Sequence, residues 1–564
     1  MLGTPTYPGI YVEEIPSGVH PIIGVSTSDT AFIDYFAHGP VGVATRVRGF
    51  DDFLREFGPL DFARSKAGYA VMQYFINGGQ VAWIVRVVSG NARASTFMLS
   101  NDYPDKPSLQ VSAVSTGKWG DSLQVAVDLH ASVQDDRHFN LVVRQTGQVN
   151  NRTQVIASEV YRDLTMDKND AKYVMAVIQA SSKLITVSEA ANGMPIRPKR
   201  TGSEKATVTV LSVINHIMTP EELAETAPPG ADPSEFPRND PFEPLIGGDD
   251  GGQLSTADLI GGLATLERIE PAVVNLLCIP AAAELDKDAP LPADGMVEST
   301  PLLGAVAAGV QAFCEKYRCF YLLDIPESVT TTRGAEKWMA ANNGVRDRNI
   351  AVAFPRLKIV DPDPSVKGLR DVGSSGTLAG IYARIDSTRG IWKAPAGIEA
   401  NLRAVVTPAG DKLNDGDSAT LNPLGINVIR NLPVHGTVSW GARTLHGADI
   451  QASEWKYVPI RRTAMYIEHS LAQGLRWVVF EPNDEPLWAQ IRLNVGAFLQ
   501  SMFRKGAFQG RTPREAYLVK CDSETTTQTD IDSGIVNILV GFAPLKPAEF
   551  VVIQIQQIAQ PPDL

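Results

Sequence analysis

The segments CFYLLDIP (319–326), TRGAEKWMAANNGV (332–345) and NIAVAFPRLKIV (349–360) set the pattern of the fold. Two nearly continuous apolar runs, rich in β-branched and aromatic residues, flank a segment of helical composition. Such runs predict buried parallel strands in a sheet that helices cover on both faces. The same alternation comes just before, in AVVNLLCIP (272–280) and LLGAVAAGVQAFCEKY (302–317).

The N-terminal part of the chain repeats this alternation of helix and strand. RSKAGYAVMQYFINGG (64–79) predicts a helix that ends at Asn77-Gly78-Gly79 and leads into the apolar run VAWIVRVV (81–88). Its expected apolar face consists of Tyr69, Met72, Phe75 and Ile76. We therefore expect one central α/β domain built from residues 30–90 and 245–385.

Residues 91–244, between those two halves, have a different pattern. LQVSAVSTGKWGDSLQVAVDL (109–129) and FNLVVRQ (139–145) alternate apolar and polar residues, which predicts antiparallel, partly exposed strands. The segment that follows them, from about residue 219, is rich in proline and acidic residues, as is typical of a linker. We interpret 91–244 as a mostly β insertion domain.

Residues 386–548 predict a third, α+β domain. LNPLGINVIRNLP (421–433) and VPIRRTAMYIEHSLAQG (458–474) are predicted helices, and RWVVFEP, EAYLVKCD and GIVNILVGFAP, within 476–544, are predicted strands. A long helix is expected to start after an Asp484 cap and to end at Gly506. Its apolar face comprises Leu487, Ile491, Val495, Phe498, Leu499 and Met502.

Both ends of the chain predict extended arms, 1–29 and 549–564. At the start, a strand from Ile10 to Ile15 lies between prolines, and at the end EFVVIQIQQ (549–557) alternates as a half-buried strand does. A terminal strand has an unpaired edge unless a neighbour covers it. Two interpretations stay open: GIVNILVGFAP pairs with the last strand as a hairpin, or the last strand pairs with another molecule.

The net charge bears on the class of function, and the distribution of charge along the chain marks two surfaces. A net charge of −12 argues against a nucleic-acid binder. Residues 219–258 carry ten carboxylates against Arg238 alone, whereas residues 486–520 have a net charge of +5. The structural alternative for both segments is a solvated surface without function.

Local motifs for catalysis, cofactors or metals are missing from the sequence. There is no Walker-type phosphate loop, and no two of the eight histidines have the i, i+4 spacing of a zinc pair. In GSSGTLAG (373–380) Ser375 abuts Gly376, which favours a helix start over a nucleophile elbow. We expect no enzyme activity, no cofactor and no metal. Neither a signal peptide nor an apolar run of about 18 residues is present, so synthesis in a reducing cytoplasm without membrane insertion is expected.

Several segments, in order along the chain, carry a resemblance to one family. PGIYVEEIPSGVHPIIGVSTSDTAFI (8–33), FINGGQVAWIVRV (75–87), TGKWGDSLQVAV (116–127) and TLAGIYARIDSTRGIWKAPAG (377–397) are followed by FRKGAFQGRTPREAYLVKCD (503–522) and VGFAPLKPAEFVVIQI (540–555). Together they resemble contractile tail sheath proteins of phage tails and phage-tail-like injection systems. Within 131–244 the resemblance is weak.

The resemblance implies a subunit that stacks in six-fold rings around an inner tube and contracts irreversibly to drive the tube through a target envelope. It implies that the arms lend strands to neighbouring copies, that the C-terminal domain faces the tube and that the insertion points outward. The implied partners are further copies, the inner tube protein, and baseplate and terminal cap proteins, in a bacterial particle that is either released or cytoplasmic. The expected arm-strand residues are Ile10, Tyr11, Val12, Glu13, Ile15, Val551, Val552, Ile553 and Ile555, and the expected hinge residues are Pro16, Gly18 and Pro21.

The basic segment then gains a possible role, and two rival functions remain. We expect Arg504, Lys505, Arg511 and Arg514 to face an acidic outer surface of the tube. One rival is an oligomeric α/β enzyme with a site at the carboxyl ends of the parallel strands, near Asp324 or Asp361. The other is a static structural tube or an adhesin.

Overall fold

A computed structural model describes residues 20–102, 106–130, 137–149, 152–190, 196–202, 210–212, 214–215, 217, 240–269, 274–287, 300–364, 366–410 and 412–552. The predicted strand at Ile10–Ile15, the hinge residues Pro16 and Gly18, and the strand residues Ile553 and Ile555 lie outside these ranges, as does most of the acidic linker.

The elements before residue 90 follow the predicted alternation. They are β1 (Thr30–Asp34), β2 (Thr45–Val47), α1 (Phe50–Phe57), α2 (Ala67–Asn77) and β3 (Ala82–Arg86). Gly78 ends α2 with a φ of 123°, which a residue with a side chain rarely adopts, so the predicted stop is confirmed. The prediction of the buried side of α2 is only partly right. Most of the helix is buried, beyond the four predicted positions, whereas Ile76, one of those four, is exposed.

The elements between residues 94 and 244 form two small antiparallel sheets. In chain order they are β4 (Thr96–Ser100), β5 (Pro107–Ala113), β6 (Leu123–Asp128), β7 (His138–Val149), β8 (Arg152–Thr165), α3 (Val174–Ser181), β9 (Ile185–Glu189) and β10 (Glu243–Pro244). The strand orders are β4-β5-β9 and β10-β6-β7-β8, and all these pairings are antiparallel. The two sheets share one apolar core.

The middle of the chain alternates helices and strands again. Its elements are α4 (Thr256–Leu266), β11 (Leu276–Cys278), α5 (Pro301–Tyr317), β12 (Phe320–Leu323), α6 (Thr332–Ala341), β13 (Ile350–Phe354), β14 (Leu357–Val360), β15 (Leu369–Val372) and α7 (Ser375–Arg389). Ser375 begins α7, as expected for GSSGTLAG.

The last part of the chain is mixed. Its elements are β16 (Thr407–Pro408), α8 (Asp415–Leu421), β17 (Ile426–Leu432), β18 (Gly436–Ser439), α9 (Val458–Gly474), α10 (Glu485–Arg504), α11 (Pro513–Ala516), β19 (Tyr517–Lys520), α12 (Gln528–Asp532) and β20 (Leu539–Phe542). The predicted long helix is confirmed: Asp484 caps α10 by accepting a hydrogen bond from Leu487 N at 3.1 Å, and all six predicted apolar positions are buried.

An eight-stranded sheet in the order β18-β17-β13-β12-β11-β1-β3-β2 organises the molecule. Its six inner strands are parallel, and an antiparallel strand closes each edge. One apolar cluster lies between the sheet and α4, α5 and α6, and a second lies between the sheet and α1, α2 and α7. The predicted parallel sheet with helices on both faces is confirmed.

Two predictions of local structure are wrong. The segment 421–433, predicted as a helix, ends α8 and then forms β17, because Gly425 (φ 82°) breaks the helix and Ile426, Val428 and Ile429 supply buried β-branched side chains to both faces of the sheet. The central sheet thus takes two strands from the segment assigned to the C-terminal domain. RWVVFEP, predicted as a strand, is a short 3-10 turn followed by a loop with Phe480 fully exposed.

Candidate functional site

A two-stranded antiparallel sheet, β19–β20, is the structural centre of the C-terminal part. Tyr517 pairs with Phe542 and Lys520 with Leu539, and within the residues that the structure describes no third strand joins either edge. An isolated two-stranded sheet is marginally stable in water. This one rests on an apolar cluster formed with α10, while Leu518 and Leu539 are each 53% exposed. The sheet therefore offers two edges for further strands.

The direction of the backbone groups at these edges follows from the register. Ala543 N donates to Ala516 O at 2.8 Å, so this pair is hydrogen-bonded across the sheet. Because antiparallel pairs alternate, the backbone groups of Val540 and Phe542 point away from β19, and those of Tyr517 and Val519 point away from β20. Tyr517 N already donates to Pro513 O, so within the described residues the outward backbone groups of Val540, Phe542 and Val519 remain available to a further strand.

The segment after β20 does not fold back on it. For residues 543–552 no strand is described, so the intramolecular hairpin is not seen over the part of the C-terminal arm that the structure covers. Glu549 is held by Arg443, and beyond it Phe550, Val551 and Val552 are 76, 81 and 82% exposed. Val551 and Val552, predicted as arm strand, have no strand partner among the described residues.

Residues 20–29, which we call the N-terminal lead, contact the same C-terminal region. Ile22 is buried in the cluster beneath β19–β20, His20 stacks on Trp477 with ring centres 4.3 Å apart, and Pro21 between them is exposed. Val25 N donates to Ser470 Oγ of α9 at 3.2 Å. The chain on either side of the body, residues 20–25 and 543–552, therefore lies close to the C-terminal elements.

The four predicted tube-contact cations lie at the end of α10, in the loop after it and in α11, within residues 504–514, which we call the basic turn. Arg504, Lys505, Arg511 and Arg514 are exposed, and none forms an ion pair within the described ranges. The two other cations of the basic segment are already used: Arg492 donates to Glu485 and to Cys521 O, and Lys520 pairs with Glu524. Within the described ranges, four unneutralised charges thus remain on this turn.

The carboxylates named for a rival enzyme site serve the fold. Asp324 is buried and accepts hydrogen bonds from Ser375 N at 2.8 Å and from Ser375 Oγ at 2.5 Å at the start of α7, and burial raises its pKa. Asp361 accepts from Tyr69 Oη, Arg370 Nε and Asp363 N at 2.6 to 2.9 Å. Burial acts to raise the pKa of Asp361, but these hydrogen bonds outweigh it and hold the pKa below its usual range.

Possible metal ligands and thiols of the described ranges form no further candidate site. No group of three or more His, Cys, Asp or Glu residues there could hold a metal ion. All four cysteines are free and buried, and burial raises the pKa of Cys278, Cys314 and Cys521. No helix in the part of the chain covered by the structure is long and apolar enough to cross a membrane.

Sequence reasoning missed two residues that fix the C-terminal segment, Arg443 and Glu549. They are 106 positions apart, and their pairing depends on how β18 and the following loop meet the end of the chain. The available signal is weak: Arg443 is a lone charge in VSWGARTL, a segment otherwise free of charges. A buried charge in such a segment requires a partner, but the sequence does not tell which one.

Two sequence comparisons match this chain to phage tail sheath proteins. The family described as phage tail sheath C-terminal domain matches residues 451–558, which include β19, β20 and the basic turn. The tail sheath protein of Vibrio phage KVP40 is 25% identical over 180 residues, which make up 32% of this chain and 25% of that protein. The match thus spans about a quarter of that relative's length.

Solved structures extend the likeness to the whole chain. The sheath complex of the extracellular contractile injection system PVC in its contracted state matches 99% of this chain and 99% of its own, with a TM-score of 0.54 and 20% identity. The contracted helical sheath of the anti-feeding prophage matches 98% and 100%, with a TM-score of 0.51 and 20% identity. A sheath tail protein of Listeria innocua matches 93% and 96%, with a TM-score of 0.55 and 11% identity. At such identities the likeness establishes the fold.

The C-terminal domain match and the tail sheath relative agree with the fold, which is that of contractile tail sheath proteins.

Proposed function

We propose that this sheath protein polymerises as stacked six-fold rings around an inner tube and contracts to drive that tube through a target envelope. The observation that carries the proposal is the β19–β20 sheet, with two open edges, inside the matched C-terminal domain. A sheath subunit has to join several copies at once, and open strand edges provide such joints.

Strand exchange is the proposed link between subunits. The arm strands of neighbouring copies, Ile10–Ile15 at one end and 551–555 at the other, would add to the outer edges of β19 and β20. Main-chain hydrogen bonds contribute about 1 kcal/mol each, so a strand of five or six residues joins two copies firmly without a rigid side-chain interface. Such links persist while body-to-body contacts are remade during contraction. The segment Pro16–Pro21 would act as the hinge of the N-terminal arm.

Contraction itself is proposed as a change between two packings of the same subunits. The free energy of firing is then stored in the assembly as a difference between extended and contracted contacts, with no catalysed step. The roles of Asp324 and Asp361 within the fold support a structural protein over the enzyme alternative.

The basic turn is proposed as the contact with the tube. Arg504, Lys505, Arg511 and Arg514 are exposed and unpaired within the described ranges, so an acidic tube surface can neutralise them. Exposed ion pairs contribute roughly 0–1 kcal/mol each, which suits a contact that holds the extended state in register and then releases.

We further propose the domain arrangement 1–29, 30–90 with 245–385, 91–244, 386–548 and 549–564, in which β17 and β18 of 386–548 complete the central sheet, with the insertion outward and the C-terminal domain inward. Baseplate and terminal cap proteins are the proposed partners at the two ends of the sheath. A chain of similar fold occurs in the anti-feeding prophage baseplate structure, with 20% identity and a TM-score of 0.51. The proposed setting is a phage tail or tail-like particle made in the bacterial cytoplasm.

Negative-stain microscopy of the purified protein with its tube separates the alternatives. Striated hollow sleeves are expected, whereas an enzyme gives compact oligomers and a static structural tube or an adhesin gives smooth filaments. Deleting residues 1–20, or 549–564, should leave a folded monomer that builds no sleeves. Full-length sleeves from both truncated proteins would overturn strand exchange.

A further inference from the structure

The C-terminal segment is fixed to the body at one point beyond β20. Arg443 Nε donates to Glu549 Oε1 at 2.8 Å and Arg443 Nη2 donates to Glu549 Oε2 at 2.6 Å, a bidentate ion pair. Tyr457 Oη adds a third hydrogen bond to Glu549 at 3.1 Å. The Arg443 side chain is 1% exposed and that of Glu549 is 15% exposed, so water competes little for this pair.

The Arg443 side chain is itself held by the loop after β18 and by Asn422, which precedes β17. Its Nη1 donates to Asn422 O at 2.8 Å, to Gly447 O at 3.3 Å and to Asp449 Oδ1 at 3.0 Å. All three nitrogens of the guanidinium therefore have acceptors. Arginine presents its donors in a planar fork, so a guanidinium fixed on one side presents the other side in one direction only. That direction is the carboxylate of Glu549.

Among the described residues, the rest of the segment 543–552 has no comparable attachment. Ala543 N donates to Ala516 O, and Gln509 N donates to Ala543 O at 2.9 Å. For the described residues 545–552, the recorded hydrogen bonds are those of the Glu549 side chain. A cavity of about 1150 Å³, lined in part by Trp392, Trp440 and Pro547, separates the segment from the body. The segment thus crosses this cavity and contacts the body through Glu549.

We propose that Arg443 is the positioning residue of the C-terminal arm: it fixes Glu549 as the root from which the arm leaves the subunit. The inference rests on the proposed strand exchange and names the residue that aims the donated strand. Counted from Glu549, the fifteen following residues reach at most about 50 Å when extended. Without the ion pair the root moves back to Pro544, and the arm end samples a much larger volume before it finds a neighbouring edge.

Nitroxide mobility at position 552 tests the anchor in the unassembled full-length chain. The four native thiols are buried, so a Val552→Cys variant takes the label selectively at that position. Glu549→Gln removes the charge while keeping the size of the side chain, and it should shorten the rotational correlation time of the label several-fold. The matched control is Asp449→Asn, which makes the same charge change on the same guanidinium but leaves the segment attached.

Sleeve assembly of the unlabelled variants gives the second readout. Glu549→Gln should assemble more slowly than the parent chain by about tenfold or more, and Asp449→Asn should match the parent. Unchanged label mobility in Glu549→Gln overturns the anchor, as does equal loosening in Asp449→Asn. A loosened arm with normal assembly overturns its role in aiming the strand. If the parent chain itself builds no sleeves, the proposed function fails while the mobility result still decides the anchor.

Discussion

Arg462 of α9 and Asp386 of α7 form an ion pair in which both side chains are almost fully buried, with Nη2–Oδ2 at 2.6 Å and Nη1–Oδ1 at 3.0 Å. The same guanidinium donates to Thr27 O at 2.8 Å. One arginine thus joins α7, which packs on the central sheet, to α9 and to the N-terminal lead.

Asp386→Asn should destabilise the unassembled protein by about 3–5 kcal/mol, because it leaves a buried guanidinium without its counter-charge. Urea denaturation followed by tryptophan fluorescence measures this loss. Glu399→Gln is the control, since it breaks the exposed ion pair of Glu399 with Arg389, which lies on the same helix as Asp386, and should cost about 0–1 kcal/mol. Equal losses in the two variants would contradict a special role for the buried pair.

Proline substitutions at the sheet edges test strand addition. Val540→Pro and Val519→Pro each remove an outward N–H while keeping the hydrogen bonds between β19 and β20, because these positions face away from the partner strand. Each variant should remain a folded monomer by circular dichroism and lose sleeve formation. Val540→Ala and Val519→Ala, which trim the side chain and keep the N–H, should still assemble. Normal sleeves from both proline variants would rule out these edges as acceptors.

Charge reversal tests the tube contact. Arg504→Glu combined with Lys505→Glu should abolish co-sedimentation of the protein with tubes at about 0.15 M salt, since two attractive charges become repulsive. Arg333→Glu combined with Lys337→Glu makes the same charge change on the exposed side of α6 and should co-sediment normally. Sleeves of normal length and salt tolerance from the first variant would exclude this surface.

Acid should destabilise the fold through His38. Burial, with a smaller effect from Arg86, lowers the pKa of His38 to about 4, and the ring contacts Glu56 O through Nδ1 at 3.1 Å. The unfolded chain, with an ordinary histidine pKa near 6.5, therefore binds a proton that the folded chain refuses. Stability from this residue is complete above about pH 6.5 and falls by at most about 3 kcal/mol as the pH drops to 4.

His38→Gln should flatten that part of the pH dependence, measured by urea denaturation at several pH values between 4 and 7. His435→Gln is the control, because the His435 side chain is exposed. A slope that stays the same in His38→Gln would show that other groups account for the acid sensitivity.

The sequence predicts what depends on local patterns. The runs that became β11, β12 and β13 are apolar throughout, and Asp484 and Gly506 bracket a helix whose apolar face is regular, so these elements need no knowledge of distant residues. β17 was missed because LNPLGINVIR is short and mixed, and its strand conformation is fixed by pairing with β13, more than seventy residues earlier. Tertiary contacts override propensity in such a segment.

The candidate surfaces divide in the same way. Composition finds the basic segment, but it cannot distinguish Arg492, which is paired, from Arg504, which is exposed and unpaired within the described ranges. The partnerships of Arg443 with Glu549 and of Arg462 with Asp386 join residues 106 and 76 positions apart, and no periodicity records them.

The anchored ends of the two arms lie along one helix. Glu549 contacts Tyr457, the residue before α9, while Val25 contacts Ser470 near the other end of that helix. A helix of 17 residues is about 25 Å long. If the arms link copies as proposed, the mechanical load between neighbouring copies passes through each subunit along α9. The central sheet and the insertion domain then lie outside this load path. They can rotate during contraction without bearing the load.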